Sequence, residues 1–118
     1  MRPFPENYEL ESFFECEPEI LDKEVPWAYN ELTFKSKSDN GILEVKMVTG
    51  SEIMEVSWYQ DSQIALNLKL KGVLTLQIID EVKLDTLVAS FRNQDTDDLV
   101  IKIRPVISIS WGYNDLRY

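Results

Sequence analysis

The chain is predicted to be all-β: an antiparallel meander that forms a strongly twisted sheet, a sandwich or an open barrel. Three observations predict this. From about residue 30 onward, apolar and polar side chains alternate with period two, which gives a strand one buried face. Short clusters of Gly, Asn, Asp and Ser separate the alternating runs, as turns require. The connections are also too short to hold a crossover helix, so successive strands are antiparallel neighbours.

The elements follow in order. Leu10, Ser12, Phe14 and Cys16 alternate with Glu9, Glu11, Phe13 and Glu15, which predicts a strand near 8–16. Residues 18–24 could hold at most one short helical turn, with Pro18 tolerable at its start. Further strands are expected at 31–37, 42–48, 53–59, 63–70, 73–79, 86–92, 98–104 and 106–111. Asn40-Gly41 is the strongest hairpin signal among them. Pro105 falls in the inward phase of the last run and cannot donate to a ladder, so it marks an edge, a bulge or a bend. Trp58 and Trp111 are in phase with apolar neighbours and are expected in the core. At 118 residues, 44% of them hydrophobic and 28% charged, the chain fits one globular domain over 1–118. In this reading an acidic segment, 1–31, packs on or beside a sheet core spanning 31–112.

Composition excludes much chemistry. Histidine is absent and Cys16 is the single cysteine. His/Cys zinc sites, Ser-His-Asp and Cys-His catalysis and an intrachain disulfide are therefore excluded. The four glycines are isolated, so no phosphate-cradling loop exists. Asp95-Thr96-Asp97-Asp98 lacks the glycine and the distal glutamate of a calcium loop and reads as a polar hairpin tip. Asp80, Glu81 and Asp85 read as acidic strand ends rather than a catalytic pair. No catalytic residue, metal or cofactor is implied, and the expectation is that the chain is not an enzyme. A net charge of −9 repels nucleic acid and anionic lipid. No apolar run approaches the roughly 20 residues of a membrane span. With no apolar leader after Met1, the expected location is cytoplasmic.

The charge is concentrated. Residues 1–31 hold nine carboxylates against Arg2 and Lys23, a net −7, whereas the other 87 residues carry twelve acids and ten bases. Such a segment is either a solvated face or a surface that attracts a basic partner. Aromatic residues interleaved with the acids favour the second reading, since aromatic anchors ringed by charge are what a binding hot spot needs. The candidate partner-binding residues are Glu15, Glu17, Glu19, Asp22 and Glu24 as the electrostatic patch, with Trp27 and Tyr29 as anchors.

Three stretches carry a family resemblance: Phe14-Glu15-Cys16-Glu17-Pro18-Glu19, the run Val25-Pro26-Trp27-Ala28-Tyr29-Asn30-Glu31-Leu32-Thr33-Phe34, and the closing Ile107-Ser108-Ile109-Ser110-Trp111-Gly112. Together they resemble the small bacterial immunity proteins of contact-dependent growth inhibition and polymorphic toxin systems. The resemblance implies a cytosolic protein that binds one cognate toxin domain, often a basic nuclease, and blocks it by stoichiometric occlusion. Other readings of the residues are a structural or homo-oligomeric interaction protein and a small β-sandwich ligand-binding module.

Overall fold

The computed structural model describes residues 1–79 and 85–111. The expected turn at 80–85, apart from Asp85, and Gly112, Tyr113 and Tyr118 lie outside the described residues. The chain is β-rich, as expected, and forms two antiparallel meanders that do not close into a barrel. The first sheet has the order β1 (Glu19–Ile20), β2 (Glu31–Ser38), β3 (Gly41–Val48), β4 (Ile53–Gln60) and β5 (Gln63–Leu70). The second has the order β6 (Val73–Ile79), β7 (Thr86–Phe91), β8 (Leu99–Lys102) and β9 (Ser108–Ser110).

The period-two pattern sets the core. The register aligns Phe34 with Val45 and Val45 with Val56, and it aligns Leu32, Met47 and Met54 in the next row. All of these are fully buried, together with Leu76, Leu87, Leu99 and Ile101 from the second sheet. The opposite face of the first sheet is polar and charge-balanced. Lys46 reaches Glu31 at 2.7 Å, Lys35 reaches Glu44 at 3.4 Å, and Asn67 donates to Glu55 at 2.9 Å. The Glu31 carboxylate, through its hydrogen bond and charge, holds the Lys46 pKa above its ordinary value.

The first predicted strand is instead a helix, α1 (Asn7–Phe14). Leu10, Phe13 and Phe14 stand at i, i+3 and i+4, and all three are buried. A strand would send Phe13 and Phe14 to opposite faces and expose one of them, whereas a helix buries both. The Glu9 carboxylate accepts from the Glu6 N–H at 2.9 Å and caps the first turn. Phe14 then stacks on Phe34, with ring centroids 4.3 Å apart. Within 18–24, where at most one short helical turn is expected, the chain makes a single hydrogen-bonded turn, Val25 N–H to the Asp22 carbonyl. Residues 19–20 pair with β2 as β1, and the short 3₁₀ turn lies later, at Trp27–Tyr29.

Two clamps join the sheets. At one end, the Asn40 carboxamide donates to the Ile107 carbonyl (2.9 Å) and accepts from the Ile107 N–H (2.8 Å). Ser38 Oγ donates to the Ile103 carbonyl at 3.1 Å. These bonds fasten the β2–β3 hairpin to the segment around Pro105, which forms the expected bend between β8 and β9. Gly41 makes the hairpin possible. Its φ is +132°, and a Cβ there would collide with the Tyr59 carbonyl oxygen. At the other end, Glu52 and Arg92 form a bidentate pair (2.6 and 2.7 Å). Beside it, Val73 N–H donates to the Glu52 carbonyl and Arg92 N–H to the Gly72 carbonyl.

Trp58 is half-buried against the core, as expected, and donates to the Asn40 carbonyl. Trp111 departs from expectation at 44% exposure. It follows the short outermost strand β9, where its ring lies over Phe91 and its N–H donates to the Asp97 carbonyl.

Gly41→Ala is expected to destabilise the protein by about 3 kcal/mol in urea titration, from the clash and the positive φ together. The hydrogen bonds and charge of Arg92 hold the Glu52 pKa below its ordinary value of 4.5. A lowered folded-state pKa gives stability that is present above the unfolded value and is lost as pH falls through the folded one. The melting-temperature advantage of wild type over Glu52→Gln is therefore expected to be largest at neutral pH and to shrink progressively as the pH falls below 4.5. An advantage that persists in acid would show that the pair is not its source.

Candidate functional site

The acidic segment is placed by its backbone. After α1, Glu15 takes up a left-handed conformation (φ 56°) that ends the helix and turns the chain along β2. The Cys16 thiol donates to the Lys35 carbonyl at 3.1 Å, and Ser36 Oγ donates to the Phe14 carbonyl. These contacts occupy polar groups along the outer margin of β2. β1 continues the cover by pairing Glu19 with Thr33 and Ile20 with Leu32.

Residues 21–30 then form a loop organised by one side chain. Asn30 is 6% exposed. Its amide nitrogen donates to the carbonyls of Asp22 and Val25, and its amide oxygen accepts from the N–H groups of Asp22 and Glu31. Its own backbone N–H donates to Thr49 Oγ1 at 2.9 Å. Asp22 in turn accepts from the Glu24 N–H at 3.0 Å. A buried carboxamide with all these partners fixes the loop, because breaking any of the bonds leaves a polar group without its partner.

The structure brings part of the predicted patch together. Glu17, Glu19, Asp22 and Glu24 are all exposed along β1 and the loop that follows it. Among the described residues, none of these four forms an ion pair. Glu15 is also exposed, but its carboxylate is 2.9 Å from Arg104, whose guanidinium also donates to the Phe13 carbonyl. Glu15 thus pins the helix end to the β8–β9 bend. Trp27 is half-buried, with its ring 6.2 Å from that of Phe34, so it braces the loop on the core. Tyr29 is 62% exposed and accepts a hydrogen bond from Arg2 at 3.1 Å.

Sequence reasoning missed Leu21. It lies between Ile20 of β1 and Asp22, is 75% exposed, and is held by its N–H bond to the Glu31 carbonyl at 3.0 Å. A lone leucine among acids has no periodicity to show which way it points. The surface is therefore a rigid carboxylate strip with one apolar side chain in its middle and an aromatic one at the loop's end. That composition suits a basic macromolecular surface. Among the described residues, no group of three or more His, Cys, Asp or Glu side chains could hold a metal ion, and no helix is long and apolar enough to cross a membrane.

No protein-family model and no curated protein sequence matches the chain. A solved structure does. One chain of the contact-dependent growth inhibition toxin–immunity protein complex from Klebsiella pneumoniae 342 superposes with a TM-score of 0.77 at 21% identity. The match covers 92% of this chain and 93% of that one. The two chains share a fold over nearly their whole lengths, as the resemblance led us to expect.

Asn30→Ala is expected to cost about 2–3 kcal/mol, since it strands buried partners of the carboxamide. Limited proteolysis within 21–29 is expected to quicken more than the loss of global stability accounts for. Uniform cleavage kinetics would show that the loop does not depend on Asn30.

Proposed function

We propose that this chain is an immunity protein: it binds a cognate toxin domain and neutralises it by stoichiometric occlusion. The observation that carries the reading is the fold shared, across 92% of the chain, with a component of a toxin–immunity complex. The charge supports the immunity half of such a pair, because a net −9 disfavours a chain that must itself approach nucleic acid.

In this reading Glu17, Glu19, Asp22 and Glu24 face a basic cleft on the toxin and occupy the positions that phosphates take in a nuclease. Leu21 and Tyr29 supply apolar contact. Trp27 and Glu15 support the strip from behind, Trp27 through Phe34 and Glu15 through Arg104. Preorganisation matters here, because a loop already fixed by Asn30 loses little entropy when it binds. The protein acts by binding alone, without cofactor or turnover, in the cytoplasm, where the toxin finds its target.

Co-expression with the toxin domain encoded beside it tests the reading. The chain alone is expected to be tolerated, the toxin domain alone to be lethal, and the pair to grow and to purify as a one-to-one complex. A harmless neighbour, or lethality unrelieved by this chain, would overturn the assignment. Replacing Glu17, Glu19, Asp22 and Glu24 by the corresponding amides is expected to slow association about 10- to 100-fold at low salt and to flatten its salt dependence. Leu21→Ser is expected to act mainly by speeding dissociation. Association unchanged in the fourfold variant would place the interface elsewhere.

A further inference from the structure

The two sheets present strand margins, and the chain covers some of those it describes. β2 is covered by β1 and the Cys16 thiol. The outer side of β6 is covered by the N-terminal residues, with Arg2 N–H donating to the Leu74 carbonyl (2.9 Å) and Leu76 N–H to the Pro3 carbonyl (3.0 Å). β5 and β9 are different: among the described residues, no backbone hydrogen bond reaches either from any segment but its ladder neighbour, and β5 is much the longer, eight residues against three. Leu66 and Leu68 point to the core face opposite Trp58 and Val56, yet both are only half-buried, so the core is open along this margin. The register shift between Trp58 and Tyr59 leaves Ala65 as the extra residue of a bulge and confines the regular strand to 66–70.

We propose that this margin pairs with the same strand of a second copy of the chain, antiparallel, about a two-fold axis at Asn67. The sequence around that point is its own mirror image, Leu66-Asn67-Leu68. On this axis Leu66 of each copy meets Leu68 of the other on the core face, and the two Asn67 side chains face each other on the outer face. Lys69 lies opposite Ala65, and the two Lys69 side chains stand four residues apart, about 13 Å along the strand, which exceeds the screening length of about 8 Å. Neighbouring registers fail. An axis at Leu66 sets the outward Ile64 against the inward Leu68. An axis at Leu68 brings the lysines within about 7–8 Å of each other, and an axis at Lys69 sets them face to face. Pairing produces one continuous ten-stranded sheet. It leaves the acidic strip free, because β1 is at the far margin of the same sheet. A seam of so few residues falls below the roughly 1,200 Å² of a standard interface, so the dimer is weak.

Sedimentation velocity on the full chain, from about 2 to about 500 µM, tests this. The wild type is expected to pass from monomer to dimer. Asn67→Lys and Asn67→Glu each set like charges against each other at the axis, and each is expected to weaken self-association at least about tenfold. Because the Asn67 amide donates to Glu55 and Ser57, both variants are expected to melt somewhat below wild type while remaining folded at the temperature of the measurement. An equimolar mixture of the two is expected to regain a heterodimer, which a folding defect could not produce. Three results would overturn the proposal: a wild type that stays monomeric throughout, single variants that associate as well as wild type, or a mixture no better than its components. Loss of toxin-domain binding in Asn67→Lys, with the wild type monomeric, would give this margin to the toxin instead. The three self-association outcomes do not depend on the immunity reading.

Discussion

A β-sheet that does not close has margins whose N–H and C=O groups must find partners or water, and this fold has two open sheets. Much of the structure follows from how those margins are treated. The first 30 residues contribute little to the ladders themselves but run along their sides. Arg2 and Pro3 line β6, α1 lies between β2 and β6, and Cys16 and β1 line β2. The helix therefore has to bury two adjacent phenylalanines at once, which only helical geometry allows. Covering the margin of β2 also fixes where the acidic segment can be.

That placement turns composition into a surface. Elsewhere on the first sheet, carboxylates and lysines neutralise one another across strands, at Glu31–Lys46 and Glu44–Lys35. Along β1 and its loop no such pairing occurs among the described residues, so four of the nine carboxylates of residues 1–31 are displayed there, with Lys23 among them. A flexible acidic tail would attract a basic partner about as strongly. It would lose that gain again in ordering itself, and the buried Asn30 carboxamide removes the cost in advance.

Alternation made most strands legible from sequence: 42–48, 53–59, 63–70 and 73–79 agree with the observed elements to within a residue or so. At 8–16 the same rule misleads. Counting every second residue from Leu10 collects Phe14 and Cys16 but assigns Phe13 to the solvent side. The i, i+3, i+4 spacing of Leu10, Phe13 and Phe14, with Glu9 placed to cap Glu6, is the signal that alternation hides. The role of Asn30 could not be read, because its partners are gathered by folding rather than by spacing. Of the predicted site, the carboxylates at 17, 19, 22 and 24 needed only charge to be found. Separating exposed Tyr29 from half-buried Trp27, and noticing Leu21, required knowing which way a short 3₁₀ turn points its side chains.

The central claim is that the covered β1 margin, with its rigid carboxylates, is the face the toxin meets. Hydrogen exchange on the purified one-to-one complex tests it most directly, because the readout is positional. Relative to the free chain, amides over 17–24 and at Tyr29 are expected to gain protection on binding, while those of β7 and β8 stay unchanged. Protection that appears on β6–β9 and leaves 17–24 exchanging as in the free chain would contradict the account.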